Sequence, residues 1–237
     1  MWGESHMAED LEVSGRATLG GGAYRKVEVN GTAKMQGDVS CERCEVNGSA
    51  HVGGRMDVTE KFEVNGRVTV NGSIRAGAFE VNGLCDVAGE CEIDDEAEIA
   101  GMAKIGRGLK AGRVHVGGRA RVGGPIEADR ICVTGSVECR ALMNADEIEF
   151  ELMGKSRVRE IGCTTITTRV GKGGWFSKPR LEVEVIEGDR IEVEAVLARR
   201  IRGDVVVLGD GCEVDRVEYR TAFERRGSAV VGESVQL

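Results

Sequence analysis

Short alternations of apolar and polar residues, broken by glycines, run along this chain from about Leu11 to Tyr219. Between Phe62 and Ala78 the apolar residues are Phe62, Val64, Val68, Val70, Ile74 and Ala76, with Gly66, Gly72 and Gly77 at the breaks. The period inside each pair is two, the spacing at which side chains share one face of a strand. No unit places apolar residues at i, i+3, i+4 and i+7, and each glycine would cost a helix interior about 1 kcal/mol. The pattern therefore predicts strands.

The unit recurs. VEVNG begins at Val27, CEVNG at Cys44, and FEVNG at Phe62 and again at Phe79, with steps of 17, 18 and 17 residues. Weaker copies begin at Leu11, Ala97, Val114, Ile131 and Ile148. A repeat of this length means stacked units, and it is too short for a propeller blade of ~40 residues. Three short strands and their bends make one coil of a triangular solenoid. The expected fold is all-β: a single-stranded parallel β-helix with three short strands per coil of 17 to 18 residues, stacked at ~4.8 Å. One inward column would read Val27, Cys44, Phe62, Phe79, Ala97, Val114, Ile131, Ile148. Asn30, Asn47, Asn65 and Asn82 each precede a glycine and form a structural ladder, in which Asn accepts left-handed backbone and bonds its amide to the next coil.

The domain plan follows from where the beat holds. Residues 1–10 read as a flexible tail, 11–220 as the β-helix, and 221–237 as a second flexible tail. Between Cys163 and Arg180 the beat breaks at GKGGWFSKPR, so a loop or hairpin is expected at about 163–180.

Composition narrows the function classes. Of 237 residues, 35 are Gly and only 2 Pro, which suits many tight corners in unbroken ladders. A net charge of −8 supplies no basic face for phosphates, so nucleic acid is not an expected partner. No apolar run of ~18 residues and no signal-like start is present, and a cytoplasmic location is expected. Cys41-Glu-Arg-Cys44 has the spacing of half a metal site, but no second such pair exists. Cys41, Cys44, Cys85, Cys91 and Cys139 fall on inward positions, where cysteine packs as a small hydrophobe. The three histidines cannot share a metal: His6 lies in the tail, and His51 and His115 are about four coils, ~19 Å, apart. No nucleophile elbow, phosphate loop or dinucleotide fingerprint occurs. The chain is expected to have no catalytic residues, no metal and no cofactor.

The EVNG units, with ALMNADEIEFEL (141–152), VREIG (158–162) and the stretch from Ile186 to Arg220, resemble the bactofilins, polymer-forming cytoskeletal proteins of bacteria, and most of all their longer Gram-positive branch. The C-terminal stretch is the more specific part of the resemblance. It implies a right-handed β-helix that assembles end to end, without nucleotide, into filaments that scaffold cell shape, motility or envelope organisation. The implied partners are other copies, a paralogue, and envelope or motility proteins. The first alternative is a capped monomeric or dimeric β-helical adaptor that binds partner proteins, and a more remote one is a β-helix enzyme, an acyltransferase or a polysaccharide-cleaving one.

An end coil has unpaired backbone groups and core side chains. The apolar C-terminal strands supply a candidate polymerisation interface: Val206, Leu208, Val214, Val217 and Tyr219. Glu28, Glu45, Glu63, Glu80 and Glu98 form an outward acidic column, relieved by Lys26, Arg43 and Lys61. Trp175 and Phe176, flanked by Lys172 and Lys178, suit an end cap, a partner groove, or peripheral contact with the inner face of a membrane.

Overall fold

The structure is a computed structural model that describes residues 9–171 and 179–237. These residues wind into a parallel β-solenoid of about 13 turns with no helix. Pairing follows the repeat residue for residue: Val27 faces Cys44, Cys44 faces Phe62, Phe62 faces Phe79, and Phe79 faces Ala97. The column continues through Ile148, Ile166, Ile191 and Val206 to Phe223. Each strand thus has one neighbour from the coil before and one from the coil after. All three faces are built the same way.

The interior is one apolar column per inward position. Large and small side chains compensate along it: the Phe62 and Phe79 rings stack with centroids 5.5 Å apart, with Cys44 on one side and Ala97 on the other. Among the described residues two buried positions are polar, Ser156 and Thr168, and both are satisfied. The Val137 N–H donates to the Ser156 hydroxyl at 3.1 Å. The Thr168 hydroxyl donates to the Glu194 carbonyl and accepts from the Glu194 N–H, each at 2.7 Å.

The corner after each EVNG strand is a glycine ladder. A Cβ on Gly48, Gly66, Gly83 or Gly118 would lie 1.9 to 2.0 Å from the carbonyl oxygen of the glycine one coil back. Glycine is required there because backbone passes over backbone, not because of a left-handed conformation. The asparagines before these glycines are not at positive φ either; Ala195 is the non-glycine residue that is. That corrects the conformational reason expected for Asn30, Asn47, Asn65 and Asn82. Their place is set by side-chain bonding across coils.

Strand length changes along the rod. Early coils carry separate strands such as Arg67–Val70, whereas the later ones run through two corners in one strand, as in Ser136–Leu152, Lys155–Val170 and Arg180–Val193. The segment expected to leave the solenoid at about 163–180 is therefore strand as far as Val170, paired with the coils on both sides. TTITTRV keeps its alternation, so the ladder continues until Gly171. The C-terminal boundary also moves. Residues 221–237 are not a tail: Glu213–Arg225 and Val230–Gln236 are paired strands that complete the last coil. Their polar composition concealed the spacing, since Phe223 lies 17 residues after Val206 and Val231 lies 17 after Val214. Of the expected N-terminal tail, only Glu9 and Asp10 lie among the described residues, and both are exposed.

Candidate assembly surfaces

The first coil consists of Leu11–Val13, Arg16–Leu19 and Gly22–Ala23. Among the described residues its strands pair with the following coil alone. Its inward positions are apolar. Leu11, Ala17, Leu19 and Tyr24 are only partly covered, although they belong to the core's column. Tyr24 folds back so that its ring covers Gly22.

At the opposite end the expected interface is displaced by one coil. Val206, Leu208, Val214 and Val217 are buried, because Phe223, Arg225, Val231 and Ser234 lie directly over them. They are core residues. Tyr219 is partly buried and stacks on Phe223 at 5.6 Å. The outermost strands at this end, among the described residues, are 222–225 and Val230–Gln236. Sequence reasoning missed them because the last coil was read as a tail.

The flank carries a connected polar ladder. Asn47 donates to Asn30 at 3.0 Å, Asn65 to Asn47 at 3.0 Å, and Asn82 to Asn65 at 2.9 Å. Each amide also donates to the Glu two residues before it, at 2.7 to 2.9 Å for Glu28, Glu45, Glu63 and Glu80. The asparagines therefore tie the acidic column to the corner. Lys26 pairs with Glu28 at 2.7 Å, and Lys61 bridges Glu63 at 2.9 Å and Glu80 at 2.5 Å. Arg43 turns to Glu60 instead of Glu45. The Lys61 ammonium, followed by the neighbouring asparagine amide, holds the carboxyls of Glu63 and Glu80 below their ordinary value.

Trp175, Phe176, Lys172 and Lys178 lie outside the described residues. The anchors of their segment are defined: the Gly171 N–H donates to Leu152 O at 3.0 Å, and the Arg180 N–H to Gly154 O at 3.1 Å. Both anchors sit on a flank corner. Arg180–Val193 is followed by Val196–Leu208, Glu213–Arg225 and Val230–Gln236.

Sequence comparison decides the family. The bactofilin family, described as polymer-forming cytoskeletal, matches residues 1–92. The chain is also 50% identical over 237 residues to the uncharacterized protein YhbE of Bacillus subtilis (strain 168), covering 98% of this chain and 99% of that protein. The chain belongs to the bactofilin family. A second Bacillus subtilis protein, the uncharacterized YhbF, is 37% identical over 99 residues, 40% of this chain and 42% of its own length. No solved structure matches. The matched part of this bactofilin is the block of EVNG coils, not the C-terminal stretch that carried most of the sequence resemblance.

Membership places this bactofilin in a structural, polymer-forming cytoskeletal family. Its cysteines agree with a packing role. Cys41, Cys44, Cys85, Cys91, Cys139 and Cys212 are buried and unpaired by disulfides, and burial pushes the Cys85 thiol up to about 12. Among the described residues no group of three His, Cys, Asp or Glu side chains is placed to hold a metal ion. An open groove of about 840 Å³ lies on the glycine corner, lined by Gly83, Gly101, Gly118 and Gly135.

Proposed function

We propose that this bactofilin is a rigid cytoskeletal scaffold subunit that joins other solenoids end to end, without nucleotide, into filaments. The observation that carries this reading is the first coil, whose strands have no second neighbour among the described residues and lie above side chains that continue the core. A strand edge without a second neighbour is a template for pairing with another chain. Solenoids that stay monomeric shield their ends with a polar cap; among the described residues, Leu11, Ala17 and Leu19 are only partly covered. Burial of ~500 Å² of apolar area would favour association by about 12 kcal/mol before the entropy of association is subtracted. A cytoplasmic place, at the inner face of the membrane or on envelope and motility structures, is part of the same proposal.

The test is negative-stain microscopy with sedimentation of the purified chain, with no nucleotide, beside a Leu19→Arg variant. The wild type is expected to form assemblies longer than one subunit, and the variant to lose the joint at the first coil while keeping its β circular dichroism. Wild-type protein that remains single rods at all concentrations would refute end-to-end joining.

A further inference from the structure

The three faces of the solenoid distribute charge differently. On one of them the outward column alternates in sign: Asp57, Arg75, Glu92, Lys110 and Glu127 lie one over another in consecutive coils. The face of the EVNG strands does the reverse, with Glu28, Glu45, Glu63, Glu80 and Glu98 stacked without interruption. Across the asparagine and glycine corner the next face is cationic. From the second coil to the seventh its outward positions carry Lys34, Arg67, Lys104, Arg119 and Arg121 against one carboxylate, Asp86.

Like charges stacked at the coil spacing repel. Alternation removes that repulsion within one rod, as the first face shows, and segregation does not. Lys26 and Lys61 neutralise part of the glutamate column, but among the described residues Glu45 and Glu98 pair with no cation. On the cationic face Lys104 reaches Asp86 at 3.4 Å and Arg121 reaches Glu138 at 3.5 Å. Among the described residues Lys34, Arg67 and Arg119 pair with no carboxylate, and all three are exposed. Leu84 and Met102 stand between Arg67 and Arg119 on the same face and are 39% and 40% exposed.

A second copy of this chain carries the matching surface. Both columns are ruled by one spacing, ~4.8 Å per coil, so a copy lying alongside meets the charges in step along its length. Glu45 and Glu98 are three coils apart, as are Arg67 and Arg119. A stagger of one coil sets Arg67 level with Glu45 and Arg119 level with Glu98. We infer that the glutamate face of one copy lies against the cationic face of another, so that rods associate side by side. The contact joins unlike faces, and a pair still offers one free face of each sign to further rods. A single exposed ion pair contributes little, and the strength of the contact lies in several engaging together. The inference stands apart from end-to-end joining, because it uses the second to seventh coils and neither end of the rod.

Salt supplies the first test. The range of attraction between exposed charges falls from ~30 Å at about 0.01 M salt to ~3 Å at about 1 M. Light scattering and negative-stain microscopy of the purified full chain are expected to show rods or filaments side by side at low salt and apart at high salt. Wild-type protein that stays laterally separate at low salt would overturn the inference, whatever its length along the axis. Growth in length alone reports on end-to-end joining. The second test exchanges signs. Glu45→Lys with Glu98→Lys sets cation against cation in the contact, and Arg67→Glu with Arg119→Glu sets carboxylate against carboxylate. Each double variant is expected to keep its β circular dichroism and, alone, to lose side-by-side association at low salt. An equal mixture of the two restores opposite signs and is expected to regain it, which misfolding would not imitate. A double variant that associates alone as the wild type does, or a mixture that stays apart, would overturn the pairing of these two faces. Binding to phosphatidylglycerol vesicles that is lost in Arg67→Glu with Arg119→Glu, while wild-type rods remain apart, would make a lipid surface the occupant and overturn the second copy.

Discussion

Gly66 and Gly154 occupy the same corner in different coils, yet their surroundings are opposite. A Cβ on Gly66 would stand 1.9 Å from the Gly48 carbonyl oxygen, whereas one on Gly154 would meet nothing within 4 Å. Gly66→Ala must push two coils apart, and overpacking of this kind costs about 1 to 3 kcal/mol or more. Gly154→Ala is expected to change stability by less than about 0.5 kcal/mol. Thermal melts of the two variants check the contrast; equal melting temperatures would show that the ladder tolerates a methyl group. The charge ladder predicts a pH effect of definite sign. Glu63 and Glu80 have carboxyls held below their ordinary value of 4.5, so the stability they contribute is present in full above that value. It is lost as the pH falls from there through the depressed folded values. Lys61→Met should lower the melting temperature slightly at pH 7, with the difference from wild type shrinking below about pH 4.5. A difference that persists unchanged at pH 3 would contradict that assignment. The asparagine ladder itself was legible in the sequence, since identical residues at a constant step must stack. The turn of Arg43 toward Glu60 was not, because a long side chain at a corner has several carboxylates within reach.

At the scale of elements, the solenoid tolerates an insertion where its ladder is already interrupted. Gly171 and Arg180 stand at the corner where other coils place glycine, and their two bonds, to Leu152 and Gly154, reproduce the ordinary corner pattern. Replacing 171–179 by a two-residue corner is therefore expected to leave the β circular dichroism and the end-to-end assembly unchanged. Loss of assembly in that deletion would transfer the candidate interface from the ends to the flank. Periodicity found each early strand because glycine and asparagine punctuate it. Later strands gave weaker signals: Lys155–Val170 contains several threonines, and Val230–Gln236 holds three polar residues. Tertiary pairing overrides weak local pattern there, since each segment lies on a preformed ladder that satisfies its backbone groups.

At the scale of the whole molecule, about 13 turns at ~4.8 Å make a rod of ~60 Å. Interior coils are stabilised by neighbours on both sides and end coils by one, so joining ends adds the missing neighbour. Arginines along the flank are exposed and contribute little to stability.

The sequence by itself determined the coil: a constant step with period-two alternation can be satisfied only by stacking like residues on like, so the register of the EVNG coils followed without coordinates. It also determined the steric demand for glycine at one corner, although not its cause, because close passage of two backbones is a contact between coils. Only the tertiary structure decided that the solenoid runs on through 221–237. Burial of Val206, Leu208, Val214 and Val217 depends on whether 221–237 folds over them, and that segment is too polar for pattern to reveal. A polar residue in a strand reads as outward until its partner in the coil below is known. Arg225 takes its meaning from Leu208 beneath it, a pairing that no local stretch of the chain contains.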